Sequence, residues 1–515
     1  MLKWIGGGKP DHPMADAKQA KDIVADLPAN DPMKALDEVN YWLESLHNTE
    51  GFKLDRLFEN VDLLDGAAKN YQRKLSQDYL ATSRQQKFQE NRLWTAVYGF
   101  WRQLGASYLL CVERYESGAS GATAIRKSLP LIVARALRAL TLQLKWMLLR
   151  YGPVEDRIWR EAARLYRFAE DGGFATGTTT IYPGPHGTGT VQQEFLKTMM
   201  LSVSSTDSLT PVKLEITERA VSHFASSFTL AREPDAACHF YFDLGAGQPP
   251  ARTLKGVEPG PTVRYFGAGA ALAGLNQLAG FVAETGGIPQ DVNLGGNYEK
   301  DVVLTVLRHL AQYWSDQPPA RSSERRRTTA RITVVPGMAE VLNMLNPAHS
   351  DSLDFQQESA AESWVVENVS DGGYGAIVPT VKSDWLKVGA VIGVQPESSP
   401  YWGVGILRRI SRDEKQQRRV GIQLLSKTVI PIKLARPATT SSPVAPREPE
   451  GAILLSTSPD SRGEVGVLMR EGTYNARDSL EMAVKGKSFL LMPAKIVEDG
   501  EDYDYARFKV LQRAG

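Results

Sequence analysis

The part of this chain that most constrains its fold is an arginine-rich segment that runs into an apolar stretch and is followed by a glycine turn. Residues 321–331 contain five arginines and one glutamate, and residues 332–335 are Ile-Thr-Val-Val. Further along, Asn368-Val-Ser-Asp-Gly-Gly373 has the pattern of a strand end, a sharp turn and a new strand. Alternate residues of an extended chain share a face, so Asn368 and Ser370 should point the same way. The pattern predicts a β structure with an arginine arm at its start.

The residue types in these two segments suit a small, doubly charged nucleotide. A guanidinium group is a planar fork of donors that pairs with phosphate oxygens or with the O6 and N7 atoms of guanine. Asn368 and Ser370 can hydrogen-bond a ligand from the strand face. Gly373 lets a ligand approach the backbone closely because it has no Cβ. Taken separately, the two segments could equally be a solvated linker and an ordinary hairpin turn.

Together the two motifs resemble the signatures of PilZ domains, which are bacterial receptors for cyclic di-GMP. Arg327-x-x-x-Arg331 matches the RxxxR pattern of that family, and Asn368-x-Ser370-x-x-Gly373 matches its (D/N)xSxxG pattern. The resemblance implies a six-stranded antiparallel β-barrel. It also implies that these five residues contact cyclic di-GMP.

The resemblance covers roughly residues 321–436. Residues 385–394 resemble a middle strand of the family's barrel, and residues 402–409 and 420–424 resemble its later strands, in the same order. The resemblance says nothing about the remainder of the chain.

The arginine arm suggests how ligand binding could be transmitted. Without ligand, residues 319–331 should be mobile and self-repelling. With ligand, they should clamp the dinucleotide onto the barrel and re-orient the barrel relative to the domain before it. Arg326, just before the motif, is a sixth candidate contact, since its plane could stack on a second guanine and favour a stacked ligand dimer.

The composition is that of a soluble multidomain protein without a globally basic surface. The chain has 515 residues, of which 42% are hydrophobic and 23% are charged, and its net charge is +1. This length predicts roughly two to four domains. Because the arginine cluster is local, the sequence argues against binding of long nucleic acids. RNA binding by the same arginines is an alternative, disfavoured because no platform of aromatic residues accompanies them.

The sequence shows no catalytic or metal-binding motif. Its two cysteines, Cys111 and Cys238, are too few for a disulfide framework or a metal quartet, and its seven histidines are scattered. No nucleophile elbow or carboxylate pair stands out, so we expect no enzyme activity, no metal and no cofactor. The absence of a signal-peptide core and of an apolar run of membrane-spanning length predicts a cytoplasmic protein without a transmembrane segment.

Helical spacing dominates residues 1–170. After Asp31, an N-cap candidate before Pro32, apolar residues recur at three- and four-residue intervals, as in an amphipathic helix. Similar stripes continue to the end of this region, which predicts a bundle of about five helices. The basic, amphipathic stretch at 131–149 is typical of a central bundle helix or, as the less favoured alternative, of a helix on a membrane surface.

The remaining segments are less uniform. Residues 171–320 mix helical and strand patterns and form either an α/β segment or an extension of the bundle with a small hairpin. Residues 437–450 are rich in proline and serine, as in a linker. Residues 451–515 alternate in short strands, which predicts a small β domain, either separate or completing a two-part unit with the barrel. The predicted fold class is multidomain α+β.

The residues and the resemblance together predict a cyclic di-GMP receptor. We expect it to couple ligand binding to domain reorientation and to contact with an unidentified protein partner. As the resemblance implies, the output would lie in motility, pili or surface attachment. The alternative is a non-catalytic interaction scaffold whose barrel keeps the motif but binds no nucleotide.

Overall fold

The structure is a computed structural model that describes most of the chain. It describes residues 10–82, 86–184, 187–253, 259–319, 324–345, 361–379, 385–436, 449–484 and 487–512. The chain divides into two compact units, residues 1–320 and 321–515, which we call the helical unit and the barrel unit. Within the expected arm, residues 320–323 lie outside the described residues, and so do residues 437–448 of the expected linker.

The described residues of the helical unit begin with seven helices: α1 (Ala17–Ala25), α2 (Pro32–Asn48), α3 (Leu54–Ala81), α4 (Lys87–Glu116), α5 (Ala122–Ile125), α6 (Leu129–Leu148) and α7 (Arg157–Asp171). The start of α2 is as predicted, because the Asp31 side chain accepts a hydrogen bond of 3.1 Å from the backbone N–H of Lys34 and Pro32 occupies the first turn. Its apolar stripe, Leu36, Val39, Leu43 and Leu46, is fully buried.

Helix α6 lies in the core of the helical unit. Most of its residues are buried on all sides, including its polar members Arg135 and Lys145. Each of these cations pairs with carboxylates of the same unit, Arg135 with Asp65 and Lys145 with Glu218. The stretch is therefore a central bundle helix. No described helix is both long enough and apolar enough to cross a bilayer.

The segment after α7 continues the same core. Its elements are β1 (Thr179–Thr180), β2 (Thr188–Gly189), α8 (Val191–Ser202), α9 (Pro211–His223), β3 (Thr229–Ala231), β4 (Phe240–Asp243), β5 (Ala251–Arg252), β6 (Val263–Gly267), α10 (Ala271–Thr285) and α11 (Lys300–Trp314). One cluster of buried apolar side chains extends from Met14 to Trp314. The segment thus corresponds to an extension of the bundle. In place of a hairpin it carries a four-stranded sheet in the order β3-β6-β4-β5.

The barrel unit contains two closed six-stranded barrels. The first consists of β7 (Arg326–Pro336), β8 (Glu362–Ser370), β9 (Gly373–Val378), β10 (Val391–Pro396), β11 (Gly403–Arg412) and β12 (Arg418–Ser426), with helix α12 (Gly337–Met344) after β7. The second consists of β13 (Ile430–Ala435), β14 (Glu450–Leu454), β15 (Glu464–Arg470), β16 (Leu480–Val484), β17 (Lys487–Asp499) and β18 (Tyr503–Gln512). All pairings are antiparallel, and the predicted fold class is confirmed.

The two barrels share one topology. In each, the first strand pairs with the second and fourth, the third with the second and sixth, and the fifth with the fourth and sixth. Strand Ile430–Ala435 lies inside the range expected for the first barrel, yet it pairs with β14 and β16 of the second. The second barrel therefore begins before the predicted linker. The apolar sequence of this strand is compatible with either barrel. Only its pairing with strands that are distant in sequence shows to which barrel it belongs.

An apolar interface joins the two barrels. Val335, Val404 and Ile406 of the first barrel are fully buried in one cluster with Ile453 and Leu468 of the second. At the edge of this interface, Arg408 of β11 forms a bidentate pair with Glu498 of β17 at 2.5 Å for both contacts. The Tyr503 hydroxyl donates to the same carboxylate at 2.6 Å. The barrels therefore form one packed pair.

Candidate functional site

The two predicted motifs meet on neighbouring strands of the first barrel. Strand β7 pairs with β8 so that Arg327 lies directly opposite Asn368. Strand β8 pairs with β9 so that Asn368 lies opposite Gly375. Directly opposed side chains share a face, with Cβ atoms about 5 Å apart. The register therefore places an arginine on one side of the Asn368 amide and a glycine on the other.

An irregularity in the strand pairing puts Asn368 and Ser370 on the outer face of the barrel. With regular alternation, Asn368 would share the inward face of Val366, which is buried. The β8–β9 register instead shifts between Val366 and Asn368. Beyond this shift, Asn368 pairs with Gly375 and Ser370 pairs with Gly373, and Gly373 lies opposite the exposed Gln423 of β12. β-Bulges commonly re-aim side chains in this way.

Arg331 lies on the same outer face, whereas Arg326 does not. Arg331 pairs with Val365, whose side chain is exposed. Arg326 pairs with Val369, one residue out of phase with Asn368, so it faces the other side of the sheet at the end of the strand. The fold thus gathers five of the six predicted contact residues and leaves Arg326 apart from them.

Asn368 has unused hydrogen-bonding capacity. Its side-chain oxygen Oδ1 is buried and has no hydrogen-bond partner among the described residues. The amide lies over Gly375, where a Cβ would be 2.6 Å from both Nδ2 and Oδ1. Among the described residues, the Ser370 hydroxyl makes only a long hydrogen bond, 3.4 Å, to the carbonyl oxygen of Gly373. Because buried polar atoms are normally paired, an orphaned acceptor marks a place where a donor is expected to bind.

Gly373 is required by the barrel itself. Its φ is +152°, and a Cβ would lie 1.8 Å from the carbonyl oxygen of Ile422 on β12. No side chain fits that space. The sequence motif explains this glycine by the close approach of a ligand, but the neighbouring strand already demands it. Gly372, in contrast, would place a Cβ in open space.

Sequence reasoning did not find the floor of the site. Gly375 lies opposite Gly421 of β12, and Gly421 lies opposite Arg409 of β11. Two glycines side by side form a strip without side chains of their own between Asn368 and Arg409, and the Asn368 amide lies over the Gly375 end of it. Glycine inside a strand weakens it and often marks a close approach of ligand or backbone, so Gly421 within β12 was the available signal.

The outer face is electropositive. Arg327 and Arg331 are both exposed, and no carboxylate of the described part of the chain pairs with either of them. Arg419 of β12 lies in the row of Arg331 and is paired with Glu367 at 3.3 Å. Two unpaired guanidinium groups beside an orphaned amide oxygen can bind an anion that also carries a hydrogen-bond donor. The described ranges contain no group of His, Cys, Asp or Glu arranged to hold a metal ion.

Two family profiles match the chain. The profile described as "Cyclic-di-GMP receptor FimW, N-terminal domain" matches residues 18–235. The profile described as "Cyclic-di-GMP receptor FimW, middle PilZ domain" matches residues 344–431. The second match contains Asn368 and Gly373 but begins after the arginines. No curated protein sequence matches the chain.

Proposed function

Because the chain belongs to the family of cyclic-di-GMP receptors with a PilZ domain, we propose that it binds cyclic di-GMP on the outer face of its first barrel. The observation that carries this proposal is the unpartnered, buried Oδ1 of Asn368 directly opposite the exposed Arg327. A nucleotide with guanine rings and phosphates supplies both the donor and the anion that this pair lacks.

The chemistry of guanine fits the row of residues across the strands. Its N2 amino group is a donor for Asn368 Oδ1, and its O6 and N7 atoms accept a bidentate contact from arginine. Arg327 and Arg331 would divide the guanine edge and the phosphates between them. Ser370 can turn its hydroxyl from its long internal bond to a ligand oxygen. The glycine strip between Asn368 and Arg409 admits the flat base.

The role of Arg326 differs from that of the other arginines. It lies at the beginning of β7 and faces away from Asn368. We propose for this residue a stacking contact to a second guanine at the end of the strand. Stacking uses the plane of the guanidinium group and does not require Arg326 to share a face with Asn368.

The proposed output is a change in the segment that joins the two units. Ligand at Arg327 would fix the chain just before β7 and so change the freedom of the barrel unit relative to the helical unit. The changed arrangement would be read by a protein partner in the cytoplasm, with effects on motility, pili or surface attachment.

Calorimetric titration of the full chain with cyclic di-GMP tests the assignment. We expect binding by the unmodified chain and a loss of about 5- to 150-fold in affinity for Arg331→Ala, as expected for about 1–3 kcal/mol per guanine-directed arginine contact. Ser370→Ala should weaken binding by about fivefold, as for one hydrogen bond of about 1 kcal/mol. Arg470→Ala, which removes an exposed strand arginine of the second barrel, should bind like the unmodified chain.

Two results would contradict the proposal in different ways. Absence of heat at tens of micromolar ligand would favour the interaction scaffold over the receptor. Unchanged affinity in Arg331→Ala and Ser370→Ala would leave a receptor whose site lies elsewhere.

A further inference from the structure

The helical unit contains a cavity that the barrel site does not explain. Its volume is about 800 Å³, within the usual range of small-molecule sites. It lies among α3, α4, α6, α8 and α9, and residues 291–298 close one side. All the residues that line it belong to the described part of the helical unit.

The inner wall of the cavity carries a network of buried and half-buried charges in two parts. Glu194 of α8 accepts a bidentate contact from Arg138 of α6, at 2.7 and 2.9 Å. Lys197 donates to the same carboxylate at 2.7 Å. The other half of the network consists of Lys145 and Arg219 with the carboxylates of Glu215 and Glu218.

This network holds more positive than negative charge. Its four cations share three carboxylates, and Glu194 is the partner of both Arg138 and Lys197. Burial alone would raise the pKa of Glu194, but Arg138 and Lys197 outweigh it and lower that pKa to about 2. Burial and the charge of Arg138 lower the pKa of Lys197. A buried cation without its own counter-charge is unfavourable, so a bound anion would complete the network.

The rest of the lining leaves this imbalance in place. Lys69 and Arg73 of α3 are two exposed cations at the cavity. Two further carboxylates also line it, Asp65 and Asp291. Asp65 is already paired with Arg135 at 3.4 Å. Six cations therefore face five carboxylates, one of which has its own partner outside the lining.

At two glycines the backbone passes close to the charged side chains that line the cavity. Gly295 has φ +86°, and a Cβ there would lie 2.9 Å from Nε of Arg219. At Gly189 a Cβ would lie 4.0 Å from Oε1 of Glu194. The backbone thus passes close to the network without filling it. Neutral groups that can orient a ligand also line the cavity, namely Gln72, Gln193, Asn293, Tyr182 and Tyr298.

We propose that this cavity is a second binding site, for a small organic anion that carries a phosphate or carboxylate group. The surplus cations hold the anionic group, with Lys197 and Arg138 as its main contacts. The amides and tyrosines contact the remainder of the molecule. The site is separate from the barrel site, so the chain would respond to a metabolite as well as to a nucleotide.

The test uses the full chain with inorganic phosphate and citrate as probes, each compared with sodium chloride at equal ionic strength. Calorimetry gives the affinity and thermal unfolding gives the stabilisation. We expect one of the two probes to bind and to raise the melting temperature. Lys197→Met keeps the aliphatic stem but removes the charge, and should weaken binding at least tenfold, as for one lost charge-assisted hydrogen bond. Lys74→Met, at an exposed ion pair of α3, should behave like the unmodified chain.

The outcomes separate the alternatives. Binding of phosphate but not citrate identifies a phosphate site, and the reverse identifies a carboxylate site. If neither probe binds, or if Lys197→Met binds as well as the unmodified chain, the proposal is wrong. Should Lys197→Met fail to fold, Arg138→Gln at the other main contact replaces it, and undiminished binding there would equally overturn the proposal.

Discussion

Replacing Gly373 with alanine should destabilise the first barrel, whereas the same change at the neighbouring Gly372 should not. A Cβ at position 373 would lie 1.8 Å from the carbonyl oxygen and 2.9 Å from the carbonyl carbon of Ile422. Both are backbone atoms of β12, so no side chain can turn away to make room. A Cβ at position 372 would meet nothing within 4 Å.

The size of the effect follows from these distances. To reach the 3.4 Å at which ordinary contact begins, β9 and β12 would have to separate by about 1.6 Å at this point. That displacement disrupts the pairing of Gly373 with Gln423, at a cost of about 1 kcal/mol for each strand hydrogen bond lost. The φ of +152° adds strain of about 1–3 kcal/mol for alanine. We therefore expect a loss of about 3–5 kcal/mol for Gly373→Ala and a change within about 0.5 kcal/mol for Gly372→Ala.

Urea unfolding of the full chain, followed by circular dichroism, measures this difference. The β-sheet transition of Gly373→Ala should move to lower urea, while that of Gly372→Ala should coincide with that of the unmodified chain. Equal transitions for the two variants would refute the argument that β12 demands a glycine at position 373. The role of this residue would then reduce to the approach of a ligand.

Two further predictions concern buried and interfacial carboxylates. Glu194→Gln should lower the free energy of unfolding at pH 7 by about 3–5 kcal/mol, because it leaves Arg138 and Lys197 without a counter-charge. Since the folded-state pKa of Glu194 is lowered to about 2, its contribution is present above pH 4.5 and lost as the pH falls towards 2. The free energy of unfolding should therefore fall less steeply for the variant than for the unmodified chain as the pH is lowered from 7 to 2.5. An equal fall in both proteins would contradict this assignment. Glu498→Gln should lower the free energy of unfolding in urea by only about 1 kcal/mol, because its pair with Arg408 is about one-third exposed. A loss above about 3 kcal/mol would mean that this pair is the main link between the barrels.

The sequence predicted which residues of the barrel site come together, but not how. A two-residue spacing places Asn368 and Ser370 on one face, and the register confirms that geometry. It cannot tell which face, because regular alternation would turn Asn368 inward with Val366. The register shift that turns Asn368 outward arises from the pairing of β8 with β9. The local sequence of β8 does not specify that register.

The cavity of the helical unit illustrates a second limit of sequence reasoning. Arg138 and Lys145 are charges on an amphipathic stretch whose pattern is typical of a bundle core or of a membrane-surface helix. Their carboxylate partners come from α8 and α9, more than fifty residues away in the chain. Charges that look like a solvated stripe can therefore form a buried network, and only the tertiary fold shows which elements pair with them.

The arginine arm shows why strand pairing matters for the proposed mechanism. The sequence suggested a segment that is mobile as far as Arg331 until ligand binds. In the fold, Arg326 to Arg331 already belong to β7 and pair with β8, because the threonines and the following apolar run favour a strand. Ligand binding therefore cannot act by folding this part. Under the proposed function, Arg327 and Arg331 would act as a preformed contact surface on β7.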